Sequence, residues 1–153
     1  MVLCGIKRDD NILDIKSLVP KLLKTRLWED GKGRAWGKNV VENDYQIMLV
    51  SQFTLYNKFK GTKPDFHLAM QGLPAKELYE QFLKDLSHEY KAMQSKLKIK
   101  TKKRDPVLPG AFGQHMNIEM VNDGPVTLVI ESKKDPKEVK KLAARTLMGK
   151  KAE

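Results

Sequence analysis

Four consecutive apolar residues, Ile47 to Val50, do most to limit what this chain can fold into. Neighbouring side chains of a strand point to opposite faces, so an unbroken apolar run is typical of a strand in the middle of a sheet. Small polar residues, Ser51 and Gln52, follow the run directly. The pattern predicts a central strand over 46–55 whose polar end opens at the edge of the sheet.

An amphipathic segment near the amino terminus predicts a first helix. Its apolar residues recur at helical spacing from about Leu18 to Trp28. Asp14 or Ser17 is the predicted N-cap, which would place Pro20 in the first turn, where proline is tolerated.

A second helix is predicted from about Ala75 to Met93, after a long loop over 61–74 that is marked by Gly and Pro. Its apolar and aromatic residues form one stripe, which we interpret as core rather than as a ligand site. The stripe consists of Leu78, Tyr79, Phe82, Leu83, Leu86, Tyr90 and Met93.

Shorter segments predict the remaining elements. Val2 to Ile6 is a short apolar run, and 115–121 and 126–131 predict two strands of a hairpin around a tight turn at 122–125. Asp135-Pro136 predicts the start of a basic terminal helix. A chain of 153 residues accommodates one core. We therefore expect an α+β fold with a compact, barrel-like sheet covered by two helices, as one domain over residues 1–132 with a basic tail over 133–153.

Positive charge is concentrated in two segments. The formal net charge is +10, from 29 Lys and Arg against 19 Asp and Glu. Residues 96–104 carry +6 and residues 133–153 carry +5, which leaves the remainder of the chain at −1. A near-neutral body with two basic segments is typical of a protein that docks a polyanion beside its pocket; solvated lysines are the alternative interpretation.

Several common kinds of site are excluded by the residues themselves. Cys4 is the single cysteine, so an intrachain disulfide is impossible. The chain contains no nucleophile elbow, zinc-protease helix motif, Walker loop or dinucleotide fingerprint. His67, His88 and His115 define neither a Ser-His-Asp arrangement nor a metal-ligand spacing. No apolar run reaches the ~20 residues of a membrane span. We expect a cytoplasmic protein that uses no metal and no cofactor.

Three segments together resemble the D-aminoacyl-tRNA deacylase family. They are Ser-Gln-Phe-Thr-Leu at 51–55, Phe112-Gly113 with Met116 three residues on, and Asn-Asp-Gly-Pro-Val-Thr at 122–127. Residues 63–70 also resemble a loop that eukaryotic members carry after the first motif. The resemblance covers roughly residues 2–131 in the family's order and spacing, and it implies a deacylase-type fold.

The resemblance implies an esterase that removes D-amino acids, and in some members glycine, from the 3′-terminal ribose of tRNA. It also implies a homodimer in which Gly124 and Pro125, joined by a cis peptide, enter the partner's pocket and exclude the side chain of an L-amino acid. An ordinary hairpin turn is the alternative interpretation of this Gly-Pro pair.

Site residues follow from the same resemblance. Catalysis would be assisted by the terminal ribose 2′-hydroxyl, with main-chain N–H groups near Gln52 and Phe53 stabilising the oxyanion. Ser51 belongs to the same catalytic set, and holding the backbone is its alternative role. Thr127 is either a nucleophile, which would need a neighbouring base, or a strand-pairing residue. Ala69 would line the amino-acid site. The terminal adenosine would be held by Phe112, Gly113 and Met116.

The sequence departs from the family pattern at three places. Family members begin earlier with an additional strand pair, so we expect the sheet to lack an edge. The segment 96–110 is longer and more basic than usual, and Gln114 stands where alanine is common. Two other functions stay open: a non-catalytic nucleic-acid-binding protein that uses the basic loop and tail, and a scaffold that uses the terminal helix.

Overall fold

A computed structural model describes residues 1–100 and 105–132. Its centre is a three-stranded parallel sheet in which β4 lies between the other two strands. The strands of this sheet are β1 (Val2–Cys4), β4 (Ile47–Ser51) and β7 (Val107–Pro109). Two antiparallel pairs accompany it: β2 (Arg26–Trp28) with β3 (Lys38–Asn39), and β5 (Lys58–Lys60) with β6 (Lys63–Asp65). The helices are α1 (Ile12–Lys24) and α2 (Gly72–Lys96).

The α+β class and the central position of β4 are confirmed. The expectation of a barrel-like sheet is wrong, because among the residues that the structure describes the three sheets stay separate and do not close. β1 and β7 are the two edges of the central sheet. Closure requires continuous pairing around the sheet, and strands of three residues at both edges do not provide it.

The helices cover one face of the central sheet. α1 and α2 pack against each other and against this face, and Leu23, Leu49, Leu86 and Tyr90 are almost fully buried there. Alternation along the strands directs a second set of apolar side chains to the opposite face. These are Leu3, Met48 and Leu108, whose exposed fractions are 42%, 37% and 40%. The described part of the chain therefore leaves an apolar sheet face open to solvent.

The first helix begins earlier than the sequence predicts. Asn11 is the N-cap: its side chain accepts from the Leu13 N–H at 3.0 Å, and the Asp14 carboxylate accepts from the Asn11 N–H at 2.8 Å. This reciprocal pair satisfies amide groups that the helix itself leaves unpaired. Pro20 consequently lies inside the helix, on its exposed side, and the predicted last turn is the strand β2 instead.

The second helix is confirmed as a core element, since Tyr79, Phe82, Leu86 and Tyr90 are all buried. The predicted loop over 61–74 is wrong in part, because β6 and the start of α2 fall within it.

The predicted hairpin over 115–131 is also wrong. These residues form no strand, and Val121 and Val129 are 96% and 90% exposed. Alternation predicts a strand only when another strand lies beside it, and the described residues supply none. By contrast, β7 was not predicted, because three residues ending in Pro109 give too short a pattern. The predicted terminal helix over 133–153 and residues 101–104 of the basic loop lie outside the described residues.

Candidate active site

The carboxyl ends of three parallel strands meet at one edge of the central sheet. Cys4 pairs with Ser51, and Leu49 pairs with Pro109, so β1, β4 and β7 end side by side. In open sheets with parallel strands, ligands bind in the crevice outside these carboxyl ends. The topology therefore brings the Ser51 motif and the Phe112-Gly113 segment to the same edge, although 60 residues lie between Ser51 and Phe112 in the sequence.

Two neighbouring backbone amides after β4, those of Gln52 and Phe53, differ in their hydrogen bonding. The Gln52 N–H donates to the Cys4 carbonyl at 2.8 Å, which extends the pairing between β1 and β4. Phe53 then begins a single 3₁₀ turn over Phe53–Leu55, and its N–H has no acceptor in the described part of the chain. The Gln52 amide is therefore occupied, whereas the Phe53 amide is available to a ligand.

Two contacts hold side chains of the segment 51–55 in place. The Gln52 Nε2 donates to the Thr54 Oγ1 at 2.5 Å, which fixes the amide side chain across the turn. The Phe53 ring is 56% exposed and meets the Phe66 ring edge-on, with 5.1 Å between centroids. Ser51 is half-buried at the last position of β4.

Gly5 shapes the candidate site, although the sequence did not single it out. An added Cβ would lie 3.0 Å from the Leu55 Cβ and 3.0 Å from the Tyr56 ring. The absence of a side chain at Gly5 therefore allows the 3₁₀ turn to fold back onto the end of β1. A glycine after a short apolar run was the available signal for such a close approach.

Ala69 lies beside the continuation of β1. It forms an isolated antiparallel bridge with Lys7, and the flanking Met70 N–H donates to the Ile6 carbonyl at 2.8 Å. Ala69 is only 3% exposed. The structure thus places Ala69 near the predicted edge, with its methyl group packed inside the protein.

Tyr79 contacts the segment that is predicted to hold the terminal adenosine. Its hydroxyl donates to the Leu49 carbonyl at 2.7 Å and approaches the Gly110 carbonyl at 3.3 Å, and burial raises the pKa of this hydroxyl. The half-buried Phe112 ring packs against the Tyr79 ring at 5.3 Å. Gly113 adopts a φ of +71°, which favours glycine.

Three predicted residues are not brought to this edge. Gly124, Pro125 and Thr127 lie in the exposed segment 115–130, and nothing described joins them to Ser51 by a hydrogen bond. The Gly124–Pro125 peptide is trans, so the expected cis peptide is wrong for this chain. Met116 is half-buried in the same segment.

The titratable groups form neither a metal site nor a triad. No group of three or more His, Cys, Asp or Glu suited to a metal occurs within residues 1–100 and 105–132. The His67 ring nitrogen contacts the Asp65 carboxylate, and no serine in the described ranges forms a hydrogen bond with this pair. Burial, and secondarily the charge of Asp10, raises the pKa of Cys4 to about 12, so its thiol stays protonated. No described helix is long and apolar enough to span a membrane.

Comparison with known proteins identifies the family. The family model described as D-Tyr-tRNA(Tyr) deacylase matches residues 1–131. D-aminoacyl-tRNA deacylases of Drosophila melanogaster and Saccharomyces cerevisiae are 44% and 43% identical to this chain, each over 86% of it and over 75% and 81% of their own lengths. D-aminoacyl-tRNA deacylase 1 of Mus musculus is 37% identical over 92% of the chain, which spans 65% of that relative's length.

A solved structure agrees with the fold. It is titled c-Myc DNA Unwinding Element Binding Protein, and it superposes with a TM-score of 0.73 at 38% identity, covering 86% of this chain and 80% of its own. The resemblance that the motifs indicated is confirmed by these matches. The chain belongs to the D-Tyr-tRNA(Tyr) deacylase family.

Proposed function

We propose that this chain hydrolyses the ester bond of D-aminoacyl-tRNA and releases the free D-amino acid and tRNA. The observation that carries this proposal is the family match over residues 1–131, which includes all three motifs. The shared strand edge supports it, because the Ser51 motif and Phe112 stand on adjacent strand ends and leave the Phe53 amide available. Glycyl-tRNA is a further candidate substrate.

The reaction is an acyl transfer to water. Water attacks the ester carbonyl, negative charge develops on the carbonyl oxygen, and the bond to the ribose oxygen breaks as that oxygen takes up a proton. The Phe53 N–H, held by the turn that Gly5 permits, donates to the developing oxyanion. The ribose 2′-hydroxyl of the substrate assists the proton transfers, because the described residues near the motif include no positioned general base.

Within the described residues, Thr127 lacks the neighbouring base that a nucleophile needs, and the expected strand-pairing role is wrong because no described strand includes it. A threonine hydroxyl requires an adjacent base for activation. Thr127 is exposed, and the structure gives it no hydrogen bond to such a base among the described residues. We therefore assign the attack to water.

Exposed apolar residues support a homodimer as part of this proposal. The segment 115–130 exposes Val121 and Val129, and the open sheet face exposes Leu3 and Met48. Apolar surface of this kind marks protein interfaces. In the dimer, Gly124 and Pro125 would enter the partner's pocket beside the amino acid, with Ala69 on the wall behind it. We expect the enzyme in the cytoplasm, and we assign 1–132 to catalysis and 133–153 to a basic tail.

Turnover of charged tRNA tests the proposal. We expect the protein to hydrolyse D-Tyr-tRNA and to leave L-Tyr-tRNA intact, and we expect hydrolysis to fail when the terminal ribose lacks its 2′-hydroxyl. Release of radiolabelled tyrosine measures each rate. Salt-sensitive binding without hydrolysis would contradict the proposal and favour the non-catalytic nucleic-acid-binding alternative, because phosphate contacts weaken steeply with salt.

A further inference from the structure

The β5–β6 hairpin exposes an aromatic ring among lysines. Phe59 is 69% exposed, which is the largest exposed fraction of any aromatic residue in the described ranges. Phe59 pairs with Pro64 across the hairpin, and Gly61 makes the turn with a φ of +63°. Directly opposite residues of an antiparallel pair share a face, so Phe59 and Pro64 form an apolar face of this hairpin.

The other face of the hairpin is basic. Lys58, Lys60 and Lys63 alternate with the apolar pair and are all exposed. Lys60 bonds to Asp65 at 2.6 Å, whereas Lys58 and Lys63 form no ion pair with any described residue. The hydrogen bond from Lys60, followed by those from the His67 backbone and ring, holds the pKa of Asp65 well below its usual range. Asp65 therefore stays a carboxylate that holds Lys60, and Lys58 and Lys63 are left without an ion pair to the described chain on the face opposite Phe59.

The hairpin rises directly from the candidate active site. β5 begins three residues after the 3₁₀ turn at Phe53–Leu55 ends. Phe66, which follows β6, contacts the Phe53 ring at the other end of the hairpin. Strands of three residues extend about 10 Å. The hairpin therefore lies within reach of the nucleotides that precede a terminal ribose bound at Phe53.

We propose that the hairpin of Lys58–Lys60 and Lys63–Asp65 binds the single-stranded nucleotides that precede the terminal adenosine of tRNA. Phe59 stacks on an unpaired base from one face of the hairpin, and the long side chains of Lys58 and Lys63 extend from the other face to the neighbouring phosphates. An exposed ring distinguishes single-stranded from double-stranded RNA, because only unstacked bases offer a face to it. This proposal rests on the proposed function, since the tRNA 3′ end must lie at the Ser51 edge.

Binding of uncharged RNA tests the hairpin separately from catalysis. The probe is an RNA microhelix with a single-stranded ACCA 3′ end, compared with the same microhelix without the overhang, and the readout is fluorescence anisotropy with the full chain. We expect Phe59→Ala to weaken binding of the overhang RNA roughly 5- to 100-fold, as stacking on one base predicts. Phe59→Trp restores binding, and the RNA without the overhang binds equally to all variants.

A second aromatic residue provides the matched control. Trp36 is 54% exposed near Arg34 and Lys38, but it precedes β3, which leads through a turn into the amino-terminal end of β4. Trp36→Ala therefore leaves overhang binding unchanged. Replacing both Lys58 and Lys63 by Ala makes the negative slope of log K, the RNA association constant, against log salt shallower by about 1.4. This is the value for two phosphate contacts on a single strand.

The outcomes separate this inference from the proposed function. If D-Tyr-tRNA is hydrolysed but Phe59→Ala binds the overhang RNA as tightly as the unchanged chain, the hairpin proposal is overturned. Equal losses with and without the overhang, or no binding of either RNA, overturn it as well. Loss of overhang binding in Phe59→Ala without any hydrolysis by the unchanged chain supports the hairpin and contradicts only the deacylase activity.

Discussion

Cys4 and Gly5, at the end of β1, have effects on the site that depend on their packing and not on their residue type alone. Cys4 is packed against the core, and Gly5 beside it makes room for the turn that carries Phe53. A thiol in this position behaves as a small apolar group rather than as a nucleophile. The sequence identified Cys4 as solitary, but its protonation follows from packing that only the three-dimensional structure reveals.

Stability at alkaline pH should depend on Cys4. The folded thiol has a pKa of about 12, whereas an unfolded thiol ionises near its ordinary value of 9.0. Since the raised pKa keeps the folded thiol neutral, its contribution is complete below pH 9 and is lost as pH rises from 9 towards 12. We expect on the order of 1 kcal/mol lost per pH unit between pH 9 and 10.

Urea unfolding at pH 8, 9 and 10 measures this loss, and Cys4→Ala is the control because it has no thiol to ionise. The free energy of unfolding of Cys4→Ala should fall less between pH 9 and 10 than that of the unchanged chain. Parallel pH profiles of the two proteins would show that the thiol does not contribute.

At the scale of elements, the sequence predicts the strands and helices that have strong local patterns. It does not predict the strands that form only by pairing with another strand. β4 and α2 are recognisable because continuous apolar runs and helical stripes are local signals. The start of α1 was missed since its cap, Asn11, stands before the apolar stripe and pairs with an aspartate in place of the usual glutamate. The hairpin β5–β6 and the unpaired 115–130 depend on contacts between strands, which one strand's sequence does not contain.

The contact between β1 and the 3₁₀ turn gives an element-scale prediction. In Gly5→Ala, the new methyl group would press against Leu55 and Tyr56 at 3.0 Å and displace the turn. Crowding of this kind costs about 1–3 kcal/mol. We expect kcat for D-Tyr-tRNA hydrolysis to fall about tenfold, because the Phe53 amide moves away from the oxyanion.

Gly31→Ala is the matched control, since nothing lies within 4 Å of a Cβ added there. Single-turnover hydrolysis and thermal unfolding should both be unchanged in this variant. Equal kcat values for Gly5→Ala and the unchanged chain would contradict the assigned role of the turn.

At the scale of the whole molecule, the apolar surface is larger than the helices cover. Residues of 115–130 and of the open sheet face stay exposed, although the sequence pattern predicted a half-buried strand over 115–121 and a central strand apolar on both faces at Ile47 to Val50. The burial that the pattern predicted for these side chains is not found among the described residues. Which surface buries them could not be predicted, because within the described chain they have no partner.

Self-association should depend on this surface. We expect a dimer mass by sedimentation equilibrium, and we expect Val121→Lys combined with Val129→Lys to shift the protein towards the monomer at least tenfold, since charge is expensive at an apolar interface. Both side chains are almost fully exposed, so the monomer should fold normally. Leu73→Lys, at a residue 66% exposed on α2, should leave the mass unchanged. A monomer in the unchanged chain would refute the homodimer.

The Tyr79 hydroxyl between the Leu49 and Gly110 carbonyls has a broader consequence. Tyr79 belongs to the buried helix α2, and its hydroxyl links the segment expected to bind the ester, which follows β4, to the segment expected to bind the base, which follows β7. We therefore expect the two segments to move together. A substitution in α2 that displaces Tyr79 would weaken binding of the ester and of the base at the same time.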